Sequence, residues 1–197
     1  PTGYGMPRYT LLGGQVLRLP FIPYTSFGHE IAHNWWGNSV FVDTSEGNWC
    51  EGLTVWCADY HYKALEGEAA AAEYRKNVLK DFVAYVRDGR DMPLREFRER
   101  HSGSTRAIGY GKSMMVFHMV DRAIGRENFL AGLRAVAAPR EGGGPMTLAE
   151  QRRAAEEAGF TQVSLLFTPY GAATTKRPGP SSIDGQLDTI ARMISAR

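Results

Sequence analysis

His29-Glu30-Ile31-Ala32-His33 is an H-E-x-x-H pattern, and its flanks are those of a helix. Thr25-Ser26-Phe27-Gly28 precedes it with hydroxyls suited to an N-cap, and Asn34-Trp35-Trp36-Gly37-Asn38 follows with a glycine suited to a stop. The expectation is a helix over 25–36. Residues four apart on a helix face the same way to within roughly 40°. Two imidazoles on adjacent turns can therefore grip one metal ion from one side, while Glu30 is offset as a general base. In a chain with five histidines, a chance match is on the order of one per cent or less. Ile31, Ala32, Trp35 and Trp36 are apolar, so the helix is expected to be buried on most sides. Polar groups held there need a partner, and a metal supplies one.

Two histidines leave a metal site incomplete, because zinc in hydrolases takes three protein ligands and keeps one position for water. The downstream acids are Asp43, Glu46, Glu51 and Asp59. Asp43 and Glu46 fall in a turn-rich segment, 43–48, where a solvated role is the commoner one. Glu51 opens a helix among Trp49, Cys50, Leu53 and Trp56, where an acid needs a partner and suits the helix dipole. Beside the histidine pair it is the favoured third ligand.

Composition narrows the function classes. The 197 residues are 43% hydrophobic and 22% charged, as in ordinary globular chains. A net charge of +2 with no basic run does not suggest nucleic acid. No apolar run approaches the roughly 20 residues of a membrane span. Cys50 and Cys57 lie seven apart on an expected helix, roughly 10 Å between Cα atoms, too far for a disulfide. The chain opens on Pro1 and is read as a piece of a longer polypeptide with further domains.

Short β-like runs at 9–12 and 15–19 surround Gly13-Gly14, suggesting an edge hairpin. Beyond 25–36, helices are expected at 49–64, 69–87, 109–124 and 127–136. On the 69–87 helix, Tyr74, Val78, Leu79, Phe82, Val83 and Val86 form the inner face. Thr147-Leu148-Ala149-Glu150 is a capping box opening a sixth helix to about residue 158. From residue 168 onward Pro, Gly, Ser and Thr dominate until a short amphipathic end over 183–194. No internal repeat is found.

The stretch 29–38 (HEIAHNWWGN), with Trp49-Cys50-Glu51-Gly52-Leu53, resembles the glutamate-zincin aminopeptidases of the membrane alanyl aminopeptidase type. The resemblance covers about residues 3–160. It implies zinc held by His29, His33 and Glu51, with Glu30 as general base. Positions 34–50 separate His33 from Glu51, 17 residues where the family usually has one more. Tyr110-Gly111-Lys112-Ser113 resembles the family's Tyr-x-Lys-Gly signature, which implies that the Tyr110 hydroxyl stabilises the oxyanion. Gly125-Arg126-Glu127-Asn128-Phe129 is similar to the helix that follows.

Where the family carries Gly-x-Met-Glu-Asn, this chain has Tyr4-Gly5-Met6-Pro7-Arg8. Met6 matches and Gly5 fills the variable position, which makes these two the substrate-binding candidates. The family's amine-binding glutamate is absent, and no acid precedes Glu30.

The implied fold is mainly α with a small β piece at the N-terminus, a thermolysin-like zincin catalytic domain. Residues 1–22 would form a β edge or hairpin of that domain, 23–160 the helical zinc-binding part, and 161–197 a weakly patterned tail. The implied activity is zinc-dependent hydrolysis of peptide bonds, with a peptide as substrate. The alternatives are an endopeptidase or other zinc hydrolase of the same fold, and a zinc- or protein-binding module without turnover.

Overall fold

The computed structural model describes residues 3–6, 9–137 and 153. Within them the chain is mostly helical, with one two-stranded antiparallel sheet at its start, in agreement with the class read from the sequence. The expected sixth helix and the tail lie outside the described residues.

The strands differ from the reading. β1 (Gly3–Met6) pairs with β2 (Tyr9–Leu12), Gly3 opposite Leu12 and Met6 opposite Tyr9. Instead of a second strand at 15–19 there is a 3-10 turn, Val16–Arg18. Gly3-Tyr4-Gly5-Met6 contains no β-branched residue, so it carries little strand signal. Its glycines serve close approach instead. Gly3 and Gly5 share one face of the strand, and that face lies on the histidine helix.

That helix, α1 (Ser26–Ala32), is shorter than expected. Thr25 does not cap it; its hydroxyl donates to the Phe21 carbonyl at 3.0 Å. At the other end, side chains capture the terminal carbonyls. Asn34 Nδ2 donates to Ile31 O at 2.9 Å, and Asn38 Nδ2 to His33 O at 2.8 Å. The chain then turns back through Gly37, at φ +102°, to a bridge between Trp36 and Val40. Trp36 is buried, but Ile31 and Trp35 are exposed, so the helix is not buried on most sides as its composition suggested.

The core lies further along the chain. α2 (Cys50–Val55) continues through a π segment, Trp56–Tyr60, into α3 (His61–Glu66). Gly67, at φ +126°, ends that run, and α4 (Glu68–Tyr85) begins. On α4 only Ala71 is fully buried. Tyr74, Val78, Phe82 and Val86 are half-buried, whereas Leu79 and Val83, expected inside, are exposed.

α5 (Gly103–Arg106) begins upstream of the helix start expected at 109, because Ser102 and Thr105 form a reciprocal capping box. A second π segment, Ala107–Lys112, leads into α6 (Ser113–Ile124), and α7 (Arg126–Ala137) follows. Met114, Phe117 and Val120 of α6 pack with Leu53 and Trp56, and Phe129, Leu133 and Val136 of α7 close the same cluster. At the α6–α7 turn, buried Asp121 is held by two hydrogen bonds from Arg126, at 2.8 and 2.7 Å. No helix of the described residues is long and apolar enough to cross a membrane.

Candidate metal centre

α1 and α2 direct three side chains at one point. One donor atom each from His29, His33 and Glu51 lies within 4.8 Å of the others. His29 Nε2 is 3.3 Å and His33 Nε2 3.5 Å from the same oxygen, Glu51 Oε2. The remaining ring nitrogens are engaged elsewhere. His29 Nδ1 is 2.8 Å from Asp59 Oδ2, and His33 Nδ1 is 2.9 Å from the Trp36 carbonyl. With Nδ1 of each ring engaged by these acceptors, both imidazoles turn Nε2 toward Glu51, the atom that would bind a metal once its proton is lost. A carboxylate or carbonyl behind a ligating histidine fixes its tautomer in this way. The donor set of two imidazoles and one carboxylate suits zinc.

The three groups hold one another charged. Burial opposes the charged form of His29, but Asp59 and Glu51 overcome it and lift the pKa to about 9. For His33, burial is likewise outweighed, by the Cys50 sulfur and Glu51, and the pKa rises to about 10. Glu51 would be pushed up by burial, yet the two imidazoles bring it down to about 2. The imidazolium Nε2–H groups thus point at the Glu51 carboxylate, and a divalent cation binding there would take the place of those protons.

The Glu-Gly pair has a packing reason. A Cβ on Gly52 would fall 2.1 Å from Ser113 Oγ. Bare backbone at 52 lets α2 meet the start of α6, which brings the second π segment beside the three donors. Tyr110 sits on that segment, its ring nearly parallel to that of His29, 6.1 Å between centroids and 6° between planes. Burial first, and then the Glu51 charge, push the Tyr110 hydroxyl above the usual tyrosine range, so it stays a hydrogen-bond donor. Phe97, fully buried, meets the same ring edge-on at 6.4 Å. Lys112 is pinned to Asp91 Oδ1 at 2.8 Å and to the Met92 carbonyl at 3.1 Å, which ties the segment to the 88–93 loop.

Glu30 is not one of the converging donors. It lines the same cleft, of about 700 Å³, with its carboxylate against β1, where a Cβ on Gly3 would fall 2.8 Å from Oε1. Gly5 also lines the cleft; a Cβ there would come within 2.4 Å of the His33 Cβ. The Gly5 carbonyl accepts from Asn38 Nδ2 at 3.0 Å, the same amide that bonds His33 O, so Asn38 joins strand to helix. Met6 lies opposite Tyr9 in the sheet and does not line the cleft. Of the other acids considered as ligands, Asp43 is exposed and accepts from Ser45, and Asp59 stands behind His29. Asn38, Gly3 and the part played by Asp59 escaped the sequence reading. For Asp59 the signal was its place eight residues after Glu51 on one helical run.

Residues 25–141 match the family described as the Peptidase family M1 domain. The chain belongs to this family. It is 29% identical over 111 residues to aminopeptidase 2, mitochondrial, of Saccharomyces cerevisiae, an alignment covering 53% of this chain and 12% of that protein. It is 28% identical over 120 residues to the alanine/arginine aminopeptidase of the same yeast, covering 53% of this chain and 13% of the relative. The chain thus matches a small part of the length of these curated relatives. No solved structure matches it. The matched M1 segment contains α1, α2 and both π segments, and so every donor of the cluster.

Proposed function

We propose that this chain forms the zinc-binding catalytic part of a peptidase, a thermolysin-like zincin that hydrolyses peptide bonds in the manner of an aminopeptidase. One observation carries the reading. The Nε2 atoms of His29 and His33 and a Glu51 oxygen converge, with both Nδ1 atoms engaged by other acceptors. Membership of the M1 family and the names of the yeast relatives support it.

His29, His33 and Glu51 would hold the zinc. Bound there, zinc supplies Lewis acidity, bringing the pKa of a water to about 7 and drawing electron density from a carbonyl. Asp59 and the Trp36 carbonyl keep the imidazoles oriented. Glu30, on the cleft wall beside β1, takes the proton of the attacking water and passes it to the leaving amine. The Tyr110 hydroxyl donates to the carbonyl oxygen as it gains negative charge. With its pKa raised, Tyr110 can donate throughout the working pH range without ionising.

Glu30→Gln tests the assignment, because it keeps the shape of the side chain and removes the base. Turnover of a peptide should fall by about 10²- to 10⁴-fold with zinc content unchanged. Turnover at the wild-type rate would contradict the role of Glu30.

An endopeptidase mode is a second reading, favoured by one feature: β1 brings glycines and Tyr4 to the cleft, and no acid precedes Glu30. Comparing peptides with free and with acetylated N-termini separates the modes. An aminopeptidase cleaves only the free form.

A further inference from the structure

Charge is unevenly spread along the cleft. Glu30, Glu51 and Asp59 gather around the candidate metal centre, whereas the wall that continues from Tyr110 sets Arg100 and Arg106 among two acids, Asp81 and Glu99. The two arginines are placed differently. Arg106 has a carboxylate partner, Asp81, at 3.6 Å. Arg100 lies with its guanidinium carbon 5.7 Å from the centroid of the Tyr110 ring. Its neighbour Glu99 is drawn to His101, at 3.5 Å. Among the described residues no carboxylate stands within ion-pair distance of Arg100.

Arg100 is also on a held segment. Phe97 is fully buried, and its ring fills the space where a Cβ on Gly109 would fall, 2.0 Å from Phe97 Cζ. The Phe97 carbonyl accepts from Asn48 N at 2.8 Å, and the Arg98 carbonyl from Asn48 Nδ2 at 2.9 Å. Arg98 in turn donates to Ser45 O at 3.0 Å. The loop leading to Arg100 is thus fastened to the 43–48 turn. A guanidinium on such a support, within cation–π distance of a ring that leads to the metal centre, has hydrogen-bond donors to offer a planar anion.

We propose that Arg100 is a specificity-determining residue that reads a carboxylate on the peptide substrate, close to the bond being cleaved. The inference rests on the peptidase reading above. One residue of extended chain spans about 3.3–3.6 Å. The guanidinium, 5.7 Å from the Tyr110 ring centroid, is thus within one or two residues of extended chain from that ring, in reach of a carboxylate flanking the carbonyl that Tyr110 addresses. That carboxylate is either an acidic side chain or the free C-terminus of a short peptide.

Two peptide pairs separate the sources, one differing only in Glu versus Gln beside the cleaved bond, the other in a free versus amidated C-terminus. Each is assayed for kcat/KM with the wild type, Arg100→Gln and Arg100→Lys. Each is also assayed for binding by calorimetry in the Glu30→Gln background. A charge-assisted hydrogen bond predicts a preference of about tenfold for the carboxylate in one pair. That preference should collapse toward one in Arg100→Gln and fall only partway in Arg100→Lys, which keeps the charge but loses the planar fork. The pair that shows it names the source.

Ratios near one in the wild type, or a ratio unchanged in Arg100→Gln, overturn the proposal. So does an Arg100→Gln loss equal for both members of each pair, which marks a structural role. Cleavage of none of the peptides contradicts the peptidase reading alone. The calorimetric ratio then decides for or against Arg100 by itself, absence of carboxylate-dependent binding counting against.

Discussion

α1 and α2 both bring candidate ligands to the cleft, yet they are held in opposite ways. α2 is a core helix: Leu53 and Thr54 are completely buried, and the first residues of α6 pack on it. α1 is short, exposes Phe27 and Ile31, and buries chiefly His29. Its position comes from backbone contacts, with β1 seated against Glu30 and His33 through two glycines and the Asn38 amide joining strand to helix end. The helix with the most legible motif thus owes little to hydrophobic burial. Truncating an apolar side chain of α2 should act on the stability of the whole domain, whereas disturbing the contacts that seat α1 should also act on the metal centre.

The largest contrast is expected between Leu53→Ala and Ile31→Ala. Leu53 is 0% exposed, so truncation leaves a cavity and costs about 2–5 kcal/mol. Ile31, at 37% exposure, should cost about 1 kcal/mol or less. Denaturant unfolding measures both. Equal costs would break the comparison and make α1 a core helix after all.

Gly5→Ala comes next. Its Cβ would meet the His33 Cβ at 2.4 Å and the Glu30 carbonyl at 2.5 Å, so strand and helix must separate, at about 1–3 kcal/mol. Zinc affinity should drop with it. Gly14→Ala, where nothing lies within 4 Å, is the control and should change neither. Competition with a chromogenic chelator checks both variants.

Asp59→Asn should leave the fold intact and weaken zinc binding by about 10- to 100-fold, because His29 loses the carboxylate that fixes its tautomer. Unchanged affinity would mean that helix geometry alone orients the imidazole.

The smallest effect is one of pH on chelator-stripped protein. Glu51 titrates at about 2 against an ordinary 4.5, so its contribution is present above about 4.5 and lost as pH falls through about 2. His29 titrates at about 9 against 6.5, so its contribution is full below 6.5 and lost as pH rises through about 9. The cluster should therefore stabilise the protein most between pH 4.5 and 6.5. Melting curves of wild type and Glu51→Gln should differ most in that window, and a pH-independent difference would contradict it.

The elements legible from sequence are those whose burial follows helical periodicity. Met114, Phe117 and Val120 recur on one face of α6, and α7 agrees with its expected range to within a residue at each end. What was not legible came from geometry without a periodic signature. Each π segment admits one more residue per turn, and no composition rule marks it, although such segments gather at functional sites. Here one carries Asp59 and the other carries Tyr110. β1 was hidden because half of it is glycine, chosen for approach to α1 rather than for strand propensity. The span of α1 was overread because Trp35 and Trp36 extend its apolar pattern, while the side chains of Asn34 and Asn38 end it. Of the candidate site, His29, Glu30 and His33 were readable from spacing alone. Glu51 needed its helix context, and Tyr110 needed the resemblance.

Zinc per chain, measured by elemental mass spectrometry on wild type and Glu51→Ala, tests the central claim most directly. The account predicts close to one zinc in the wild type and a large loss in the variant, because α2 would no longer complete the set that α1 begins. No zinc in the wild type would contradict a competent centre and leave a binding module without turnover. Zinc fully retained by Glu51→Ala would contradict the joining of the two helices through one metal ion.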